Sequence, residues 1–370
     1  MSQEVTQRKA EHVQVALGHD LAAPQAASWA DIHLIHQALP EVDLSEIDTG
    51  VNFLGKRLRA PIFISSLTGG HPDVVGINER LARAAERFGL AMGVGSQRAA
   101  IVAPDLAATY AVVREQAPTA FLIANIGAPQ LIPQARKQPF TVDDARSAVA
   151  MIRADALAIH LNYLQEAAQP EGDGNARGVL AALTHMAAEV GVPIIAKETG
   201  AGISREQARK LRAAGVSAID VGGAGGSSMA AMEAVRAGQR GHAQTQAVGT
   251  LFRAWGIPTP ISVVEAGVAE VPLIATGGVR SGLDAARAIA LGATLVGVGF
   301  PMLKAASEGD AAVTQFIEGF LLELRVAMQL TGAASMAELH GVPVVVSGET
   351  RAWLELRGFG DQLRTFAQRG

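Results

Sequence analysis

Four polar side chains lie within seven residues near the middle of the chain. An apolar run over residues 156–159 is followed by His160, Asn162, Gln165 and Glu166. This pattern predicts a buried strand that ends in a site, because chemistry in a parallel barrel lies just past the C-terminal ends of the strands. His160 and Asn162 are two residues apart, so an extended backbone would place them on the same side. We expect a small anionic substrate and its cation here, although a polar strand end that caps the next helix would look the same.

Glu166 is the only carboxylate in this stretch. One carboxylate makes a poor dedicated metal cage, but it suits Mg²⁺ that is shared with substrate phosphates and waters. Near the N-terminus, Arg8, Lys9 and His12 form a second cluster of cationic or potentially cationic groups. If this segment is helical, Arg8 and His12 share a face. The cluster could close over a phosphate, or it could be a solvated charged tail.

Composition limits the classes of function. The 370 residues are 49% hydrophobic, include 40 glycines and no cysteine, and carry a net charge of −4. The absence of cysteine excludes disulfides, thiolate nucleophiles and Fe–S clusters. Without a long basic run, nucleic acid and membrane surfaces are unexpected partners. Residues 1–12 have no apolar core for a signal peptide, and the apolar stretch 288–303 is too short to span a membrane. We therefore expect a cytoplasmic protein.

Eight short apolar runs alternate with segments of helical spacing. The predicted strands are 61–65, 91–94, 121–124, 156–161, 193–196, 218–221, 272–275 and 294–298. They span about 240 residues, close to the roughly 250 of a (β/α)₈ TIM barrel. A doubly wound open sheet is the alternative, but it would concentrate its site at one switch point. We predict an α/β chain with an N-terminal extension and lid (1–60), the barrel (61–310) and a C-terminal helical segment packed on the barrel (311–370).

Glycine-rich turns follow the last three predicted strands. Gly277 and Gly278 follow strand seven, and Gly299 and Phe300 follow strand eight. Barrels bind phosphate at these two positions through backbone N–H groups and a helix N-terminus. Ordinary turn glycines would look the same at one position, but two consecutive turns favour a phosphate site. Ser227 follows a third glycine stretch, which lacks the spacing of a dinucleotide fingerprint.

Polar groups at four other strand ends suit the edge of a flat aromatic cofactor. Thr68, Ser96, Asn125 and Lys197 follow strands one, two, three and five. Lys197 follows a buried strand and needs an anionic partner there. A flavin that becomes an anion on reduction would be such a partner, and a structural carboxylate such as Glu198 is the competing explanation.

With these motifs, nearly the whole chain resembles the type 2 isopentenyl-diphosphate isomerases, which are FMN-dependent barrel enzymes. The matching stretches are Arg8-Lys9 with Glu11-His12, Leu67-Thr68-Gly69-Gly70, Gly95-Ser96-Gln97-Arg98, Ala124-Asn125-Ile126-Gly127, His160-Leu161-Asn162 with Gln165-Glu166, Lys197-Glu198, Trp255-Gly256-Ile257-Pro258-Thr259 and Gly277-Gly278-Val279-Arg280. The element from His160 to Glu166, together with the N-terminal Arg8-Lys9, is the specific part. The glycine turns alone would fit any barrel that binds the FMN phosphate.

The resemblance implies interconversion of isopentenyl and dimethylallyl diphosphate. It implies FMN in its reduced state, NADPH as external reductant, Mg²⁺, and a homotetramer or homo-octamer. The diphosphate side would be held by Arg8, Lys9, His12, Arg98, His160 and Asn162, with Gln165 near the reacting carbons and Glu166 on Mg²⁺. FMN would be contacted by Leu67, Thr68, Gly69, Ser96, Asn125, Lys197 and Ser227, and its phosphate by Gly277, Gly278, Gly299 and Phe300. Gln165 and His160 would be the catalytic residues.

The isomerisation must protonate an alkene and remove an allylic proton. Gln165 is a neutral amide with no useful acid or base form, and general acid–base catalysis needs a matched pKa. We therefore expect the reduced flavin to carry the proton chemistry, with Gln165 orienting or assisting.

The chain departs from the family pattern at two places. Leu67 replaces a usual Met, which conserves volume. Met229 replaces a usual Trp after Ser227 and Ser228, which puts the local packing in doubt.

Two rival functions use the same barrel. An FMN-dependent 2-hydroxy-acid dehydrogenase or oxidase needs a His base and an Arg clamp after a late strand, whereas strand six is followed by Gly222-Gly223-Ala224. A non-catalytic flavin-binding barrel would not need the set from His160 to Glu166.

Overall fold

The described residues before the barrel form a helix, a short 3₁₀ helix (Trp29–Asp31), a short strand and a hairpin. The computed structural model describes residues 11–24, 28–135 and 137–370. They include a helix over residues 11–18 (α1), the strand β1 (Ile32–Leu34), and the hairpin strands β2 (Val51–Phe53) and β3 (Lys56–Leu58). Phe53 packs edge-on against Phe121, with ring centroids 5.4 Å apart. Because Phe121 is the first residue of its barrel strand, the hairpin covers the N-terminal end of the barrel.

Eight parallel strands close into a barrel. They are β4 (Ile62–Ile64), β5 (Ala91–Gly93), β6 (Phe121–Gly127), β7 (Ala156–Leu161), β8 (Ile194–Glu198), β9 (Ala218–Asp220), β10 (Leu273–Thr276) and β11 (Leu295–Val298). Closure is made by β11 against β4, with Val296 opposite Ile62. Six of these strands are buried throughout, and β7 and β10 become partly exposed at their ends. Buried parallel strands read as continuous apolar runs, which is why the sequence located all eight.

Helices surround the barrel and connect its strands. They are α2 (Val75–Phe88), α3 (Arg98–Val102), α4 (Ala108–Gln116), α5 (Val142–Met151), α6 (Tyr163–Ala167), α7 (Val179–Glu189), α8 (Arg205–Ala213), α9 (Met229–Gln239), α10 (Ala243–Leu251), α11 (Thr259–Ala266), α12 (Gly282–Ala290) and α13 (Phe300–Glu308). Local capping fixes several starts. Thr141 and Asp144 form a capping box at α5, and Ser204 caps α8. The predicted (β/α)₈ fold is confirmed.

The C-terminal segment comprises α14 (Asp310–Leu330), α15 (Met336–Gly341), strand β12 (Val344–Val346), α16 (Gly348–Leu356) and α17 (Gly360–Ala367). Helix α14 packs against α12 so closely that a Cβ on Gly282 would lie 2.2 Å from the backbone nitrogen of Leu324. Strand β12 pairs with β1 in antiparallel fashion, which ties the two ends of the chain together. The division of the chain at residues 60 and 310 stays a prediction. Within the described ranges, no helix is long and apolar enough to cross a membrane.

Candidate active site

A cavity of about 550 Å³ opens at the C-terminal ends of the barrel strands, a volume typical of small-ligand sites. Most of the residues predicted from the sequence line it. They are His12, Leu67, Ser96, Arg98, Asn125, His160, Asn162, Gln165, Glu166, Lys197, Ser227, Gly277, Gly278, Gly299 and Phe300. The predicted residues Arg8 and Lys9 lie outside the described residues.

Thr68 and Gly69 were also predicted to contact a flavin, but they are not part of the described cavity wall. The Thr68 hydroxyl donates to Asn78, and Gly69 packs against the ring of Tyr110. A role for them as flavin contacts stays a prediction.

His160 at the end of β7 is oriented by Asn125 at the end of β6. Its Nδ1 lies 2.8 Å from Asn125 Oδ1, while Asn125 Nδ2 donates to the Val94 carbonyl at 3.0 Å. Because the amide nitrogen is already used, the oxygen of Asn125 must accept the bond from the ring. His160 therefore carries a proton on Nδ1.

Glu166 lies in the short helix α6 and is buried, with 6% of its surface exposed. Its Oε1 accepts from Asn162 Nδ2 at 3.1 Å, and its Oε2 accepts from the backbone N–H of Asp173 at 2.7 Å. Two fixed donors hold the carboxylate in one orientation. In residues 11–24, 28–135 and 137–370, no cluster of three or more metal-ligating side chains is present. A cation at Glu166 would need ligands from its substrate or from water.

A buried carboxylate on α9, Glu233, joins Gln165 to the N-terminal helix. Gln165 Nε2 donates to Glu233 Oε1 at 2.8 Å, and His12 Nε2 lies 3.0 Å from the same oxygen. The other oxygen pairs with Arg236. Burial alone would raise the pKa of Glu233, but the hydrogen bond and charge of His12 and the charge of Arg236 outweigh it and lower the pKa. Glu233 is thus a fixed anion that orients the Gln165 amide.

Arg98, the first residue of α3, pairs with Asp173. Arg98 Nη1 lies 2.9 Å from Asp173 Oδ2, and Lys137 Nζ lies 2.6 Å from Asp173 Oδ1. Burial would raise the pKa of Asp173, but the hydrogen bond from Lys137 and the positive charges of Arg98 and Lys137 lower it. The carboxylate is therefore ionised and holds both cations.

Lys197, at the end of β8, has a protein carboxylate as partner. Its Nζ lies 2.8 Å from Asp220 Oδ2, and both side chains are almost fully buried. The anionic partner that the sequence required is Asp220 rather than Glu198. Glu198 instead accepts N–H groups from the turn over residues 199–202, and burial raises its pKa to about 7 although these donors oppose the shift. Lys197 still lines the cavity.

Glycine backbone forms most of the opposite side of the cavity, after β9, β10 and β11, where the charged residue Arg280 donates to the Gly278 and Gly225 carbonyls. Gly277 has φ +122°, and a Cβ there would lie 2.2 Å from the Gly223 carbonyl oxygen. Gly278 approaches the backbone of Gly225 similarly. Helix α13 begins at Phe300, and its N-cap residue Gly299 provides no side-chain cap, so the first N–H groups of the helix are available to an anion. This side suits a phosphate held by backbone donors.

Hydroxyl groups in the cavity wall also fit a polar cofactor. In the part of the chain that the structure describes, the buried Oγ atoms of Ser65 and Ser66 and Oγ1 of Thr276 find no hydrogen-bond partner. All three residues line the cavity at the ends of β4 and β10. A buried polar atom without a partner is costly. These hydroxyls, the amide of Asn125 and the ammonium of Lys197 form a donor set that fits a flavin edge.

The N-terminal segment completes the wall. Ala23 N donates to the Gly226 carbonyl at 2.9 Å, and Ser228 N donates to the Leu21 carbonyl at 2.8 Å. Arg253 donates to the carbonyls of Asp20 and Ala22. These bonds tie the segment to the loop after β9. His12 is thereby carried over the cavity mouth, beside Glu233.

Similarity to known proteins agrees with this geometry. A family model described as FMN-dependent dehydrogenase matches residues 138–344. Isopentenyl-diphosphate delta-isomerases match almost the whole chain. The protein from Methanosarcina mazei is 47% identical over 360 residues, 97% of each chain, and that from Archaeoglobus fulgidus is 49% identical over 354 residues, 95% of this chain and 99% of the relative. The chain belongs to the FMN-dependent, type 2 family of isopentenyl-diphosphate delta-isomerases. The family predicted from the sequence is confirmed.

Solved structures share the fold of this isomerase family member. A mandelate oxidase mutant with an FMN adduct superposes with a TM-score of 0.60 at 20% identity, covering 94% of this chain and 99% of that chain. A mandelate oxidase with benzoyl-formic acid gives the same TM-score and identity, with 94% and 97% covered. At this identity the likeness concerns the fold alone.

Several site residues of this family member were missed by sequence reasoning. They are Ser65, Ser66, Asp173, Asp220, Glu233, Arg236 and Thr276. Glu233 and Arg236 could have been noticed, because they are the only charged residues in the helix over residues 229–239 and stand three apart. Asp173 and Asp220 gave no such signal, since their partners are distant in sequence.

Proposed function

We propose that this chain interconverts isopentenyl diphosphate and dimethylallyl diphosphate, with FMN bound in the barrel mouth and Mg²⁺ on the diphosphate. The main support for this proposal is that the two sides of one cavity present different chemical groups. The charged side chains of Arg98 and Glu166, on α3 and α6, line one side, and the glycine turns after β10 and β11, together with Arg280, line the other. Family membership at about 47% identity over nearly full length supports the same reaction.

The diphosphate would lie between Arg98, His160 and Asn162. Arg98 supplies a planar fork of N–H donors that suits phosphate oxygens. His160 carries its proton on Nδ1, so it contributes to phosphate binding through Nε2 only when both ring nitrogens are protonated. Asn162 Oδ1 is buried and has no hydrogen-bond partner within the described ranges. A water bound to Mg²⁺ at Glu166 would supply the donor it needs.

The hydrocarbon end would then lie near Gln165. Glu233 fixes the Gln165 amide with its nitrogen toward the carboxylate and its oxygen toward Asn162, which donates at 3.3 Å. This arrangement holds Gln165 still without giving it an acid or base form. Reduced FMN, when bound, would supply the proton donor and acceptor that the Gln165 amide does not provide. The residues of the chain bind, orient and shield the substrate.

The rival 2-hydroxy-acid oxidation has less support. It needs a His base beside an Arg clamp for a carboxylate, and the loop after β9 begins Gly222-Gly223-Ala224 instead. The likeness to mandelate oxidase is at 20% identity, a level that carries no argument about the reaction. The two functions are separated by offering each substrate to the same preparation.

The test is an anaerobic assay with FMN reduced or oxidised, and with Mg²⁺ present or chelated. We expect conversion of isopentenyl diphosphate only with reduced FMN and Mg²⁺, with NADPH able to replace a chemical reductant. No conversion under any condition, or flavin reduction by mandelate, would exclude the proposal.

A variant sharpens the assignment of the metal. Glu166→Gln keeps the shape of the side chain but removes its charge. We expect at least about a 100-fold loss of turnover, since a fixed carboxylate at a metal is worth several kcal/mol, with partial recovery at high Mg²⁺. A loss that no Mg²⁺ concentration reduces would show that Glu166 does not serve the metal.

Assembly and location are further proposals. A homotetramer or homo-octamer in the cytoplasm is implied by the family resemblance. Sedimentation equilibrium of the FMN-loaded protein tests the first, and a monomer at micromolar concentration would contradict it. Fractionation of cells tests the second, and recovery with the membrane or secreted fraction would contradict it.

A further inference from the structure

Asp173 stands behind the cavity wall and contacts two residues that line it. Its carboxylate accepts from Arg98 Nη1 at 2.9 Å and from Lys137 Nζ at 2.6 Å. Its backbone N–H donates to Glu166 Oε2 at 2.7 Å. Only 5% of the residue is exposed. One residue thus joins the cation proposed for the diphosphate to the carboxylate proposed for Mg²⁺.

The turn that carries Asp173 is built around Glu166. Gly172 N donates to the Gln169 carbonyl at 3.1 Å, which closes the turn. A Cβ on Gly172 would lie 1.8 Å from the carbonyl oxygen of Glu166, a contact that no side chain can make. The backbone N–H of Asp173 is therefore held against Glu166 by the path of the chain, independently of the Asp173 side chain.

We propose that Asp173 is a positioning residue for the diphosphate and Mg²⁺ end of the site. Its carboxylate orients Arg98, and its backbone N–H orients Glu166. The inference rests on the proposed function and adds to it a residue that does not itself line the cavity. A substitution at Asp173 removes the contact of its carboxylate with Arg98 but leaves the hydrogen bond from its backbone N–H to Glu166.

The physical reason is pre-organisation. The Arg98 side chain is 12% exposed, and without a partner its long chain would sample several rotamers. A guanidinium already held in one rotamer loses less entropy when a phosphate oxygen binds. The opposing effect is that the carboxylate neutralises part of the positive charge of Arg98. Removal of the carboxylate would lower substrate affinity by the first effect and raise it by the second. We expect the first effect to be the larger.

The test is Asp173→Asn in the full chain loaded with FMN. We expect the KM for isopentenyl diphosphate to rise about tenfold, equivalent to about 1.4 kcal/mol, while kcat at saturating substrate changes by less than about threefold. Binding of inorganic pyrophosphate with Mg²⁺, measured by calorimetry, should weaken by the same factor. This second readout does not depend on turnover. The affinity for FMN should stay unchanged.

Two further variants identify the path of the effect. Lys137→Met removes the other partner of Asp173 but leaves its contact with Arg98, so pyrophosphate affinity should fall by less than about threefold, as expected for a partly exposed pair. Arg98→Met combined with Asp173→Asn should be no weaker than Arg98→Met alone, because the two residues act as one unit.

Unchanged or tighter pyrophosphate binding in Asp173→Asn would overturn the inference. Fully additive losses of pyrophosphate affinity in the double variant would also overturn it, because Asp173 would then not act through Arg98. A parallel loss of FMN affinity would overturn it as well, because Asp173 would then support the fold in general. A wild-type protein that binds pyrophosphate but converts no isopentenyl diphosphate would contradict the proposed function and leave the role of Asp173 measurable.

Discussion

The two sides of the barrel mouth are built by different means. The charged side consists of Arg98, Glu166, Asp173, Glu233 and Arg236, whose side chains come from loops and helices and satisfy one another. The glycine side consists of Gly225, Gly226, Gly277 and Gly278, where backbone segments lie close together, and of Gly299 at the start of α13. The first depends on charge and the second on the absence of Cβ atoms.

This difference determines how each side can fail. Every carboxylate of the charged side has at least two partners, and a buried polar network is costly once one member is lost. The glycine side has one charged residue, Arg280, which donates to the Gly278 and Gly225 carbonyls, and it has no room for a Cβ at Gly277 or Gly278. We therefore expect the charged side to be sensitive to Glu→Gln substitutions, which remove a charge but keep the shape. The glycine side should be sensitive to Gly→Ala substitutions, which add one methyl group.

The largest effect is expected from Glu233→Gln. It leaves Arg236, which is 2% exposed, without its buried partner and releases Gln165. We expect the free energy of unfolding to fall by about 3 kcal/mol and turnover to fall by at least about 100-fold. Denaturant unfolding and steady-state kinetics measure the two losses.

Glu171→Gln is the matched control for that variant. Glu171 also pairs with Arg236, at 3.0 Å, but its side chain is 40% exposed. Glu171→Gln should lower the free energy of unfolding by less than about 1 kcal/mol and leave turnover nearly unchanged. Equal losses in the two variants would mean that the network is held by surface pairing and not by the buried carboxylate.

A smaller effect is expected from Gly277→Ala. The new Cβ would lie 2.2 Å from the Gly223 carbonyl oxygen at a positive φ, which costs about 1–3 kcal/mol of strain. We expect the affinity for FMN to fall about 10- to 100-fold, measured by quenching of flavin fluorescence. Gly319→Ala in α14 meets nothing within 4 Å and should leave FMN binding unchanged. If Gly277→Ala bound FMN as tightly as the wild type, the close backbone contact at Gly277 would not be required for FMN binding.

Acid should weaken the charged side by a smaller amount. The pKa values of Glu233 and Asp173 are lowered in the folded protein. Their contribution to stability is present above the unfolded pKa values, about 4, and is lost as the pH falls through the lower folded values. Urea unfolding between pH 3 and 6 should show stability falling below about pH 4.5, and less steeply in Asp173→Asn. Parallel curves for the two proteins would contradict this assignment.

The sequence predicted the barrel because its signals are local. Strand β7 was predicted with the bounds that it has, Ala156–Leu161, since a buried parallel strand is a continuous apolar run. Strand β12 was missed because its partner β1 lies about 310 residues away. Asp220 was read as part of strand six, and only the neighbouring strand shows that it pairs with Lys197.

The site was predicted in part for the same reason. His160 lies at the end of β7 and Glu166 follows that strand, so their proximity could be inferred from spacing alone. Glu233 reaches Gln165 only because α9 folds back over α6, a contact that spans 68 residues. Contacts between side chains of different loops depend on tertiary packing, which leaves no periodic pattern in the sequence.

The central claim is that one side holds the diphosphate with Mg²⁺ and the other holds FMN. The direct measurement is a pair of titrations, FMN and Mg²⁺–pyrophosphate, on wild type, Glu166→Gln and Gly277→Ala. The account predicts that Glu166→Gln weakens pyrophosphate binding at least tenfold with FMN affinity unchanged, and that Gly277→Ala does the reverse. Equal weakening of both ligands by either variant would contradict it.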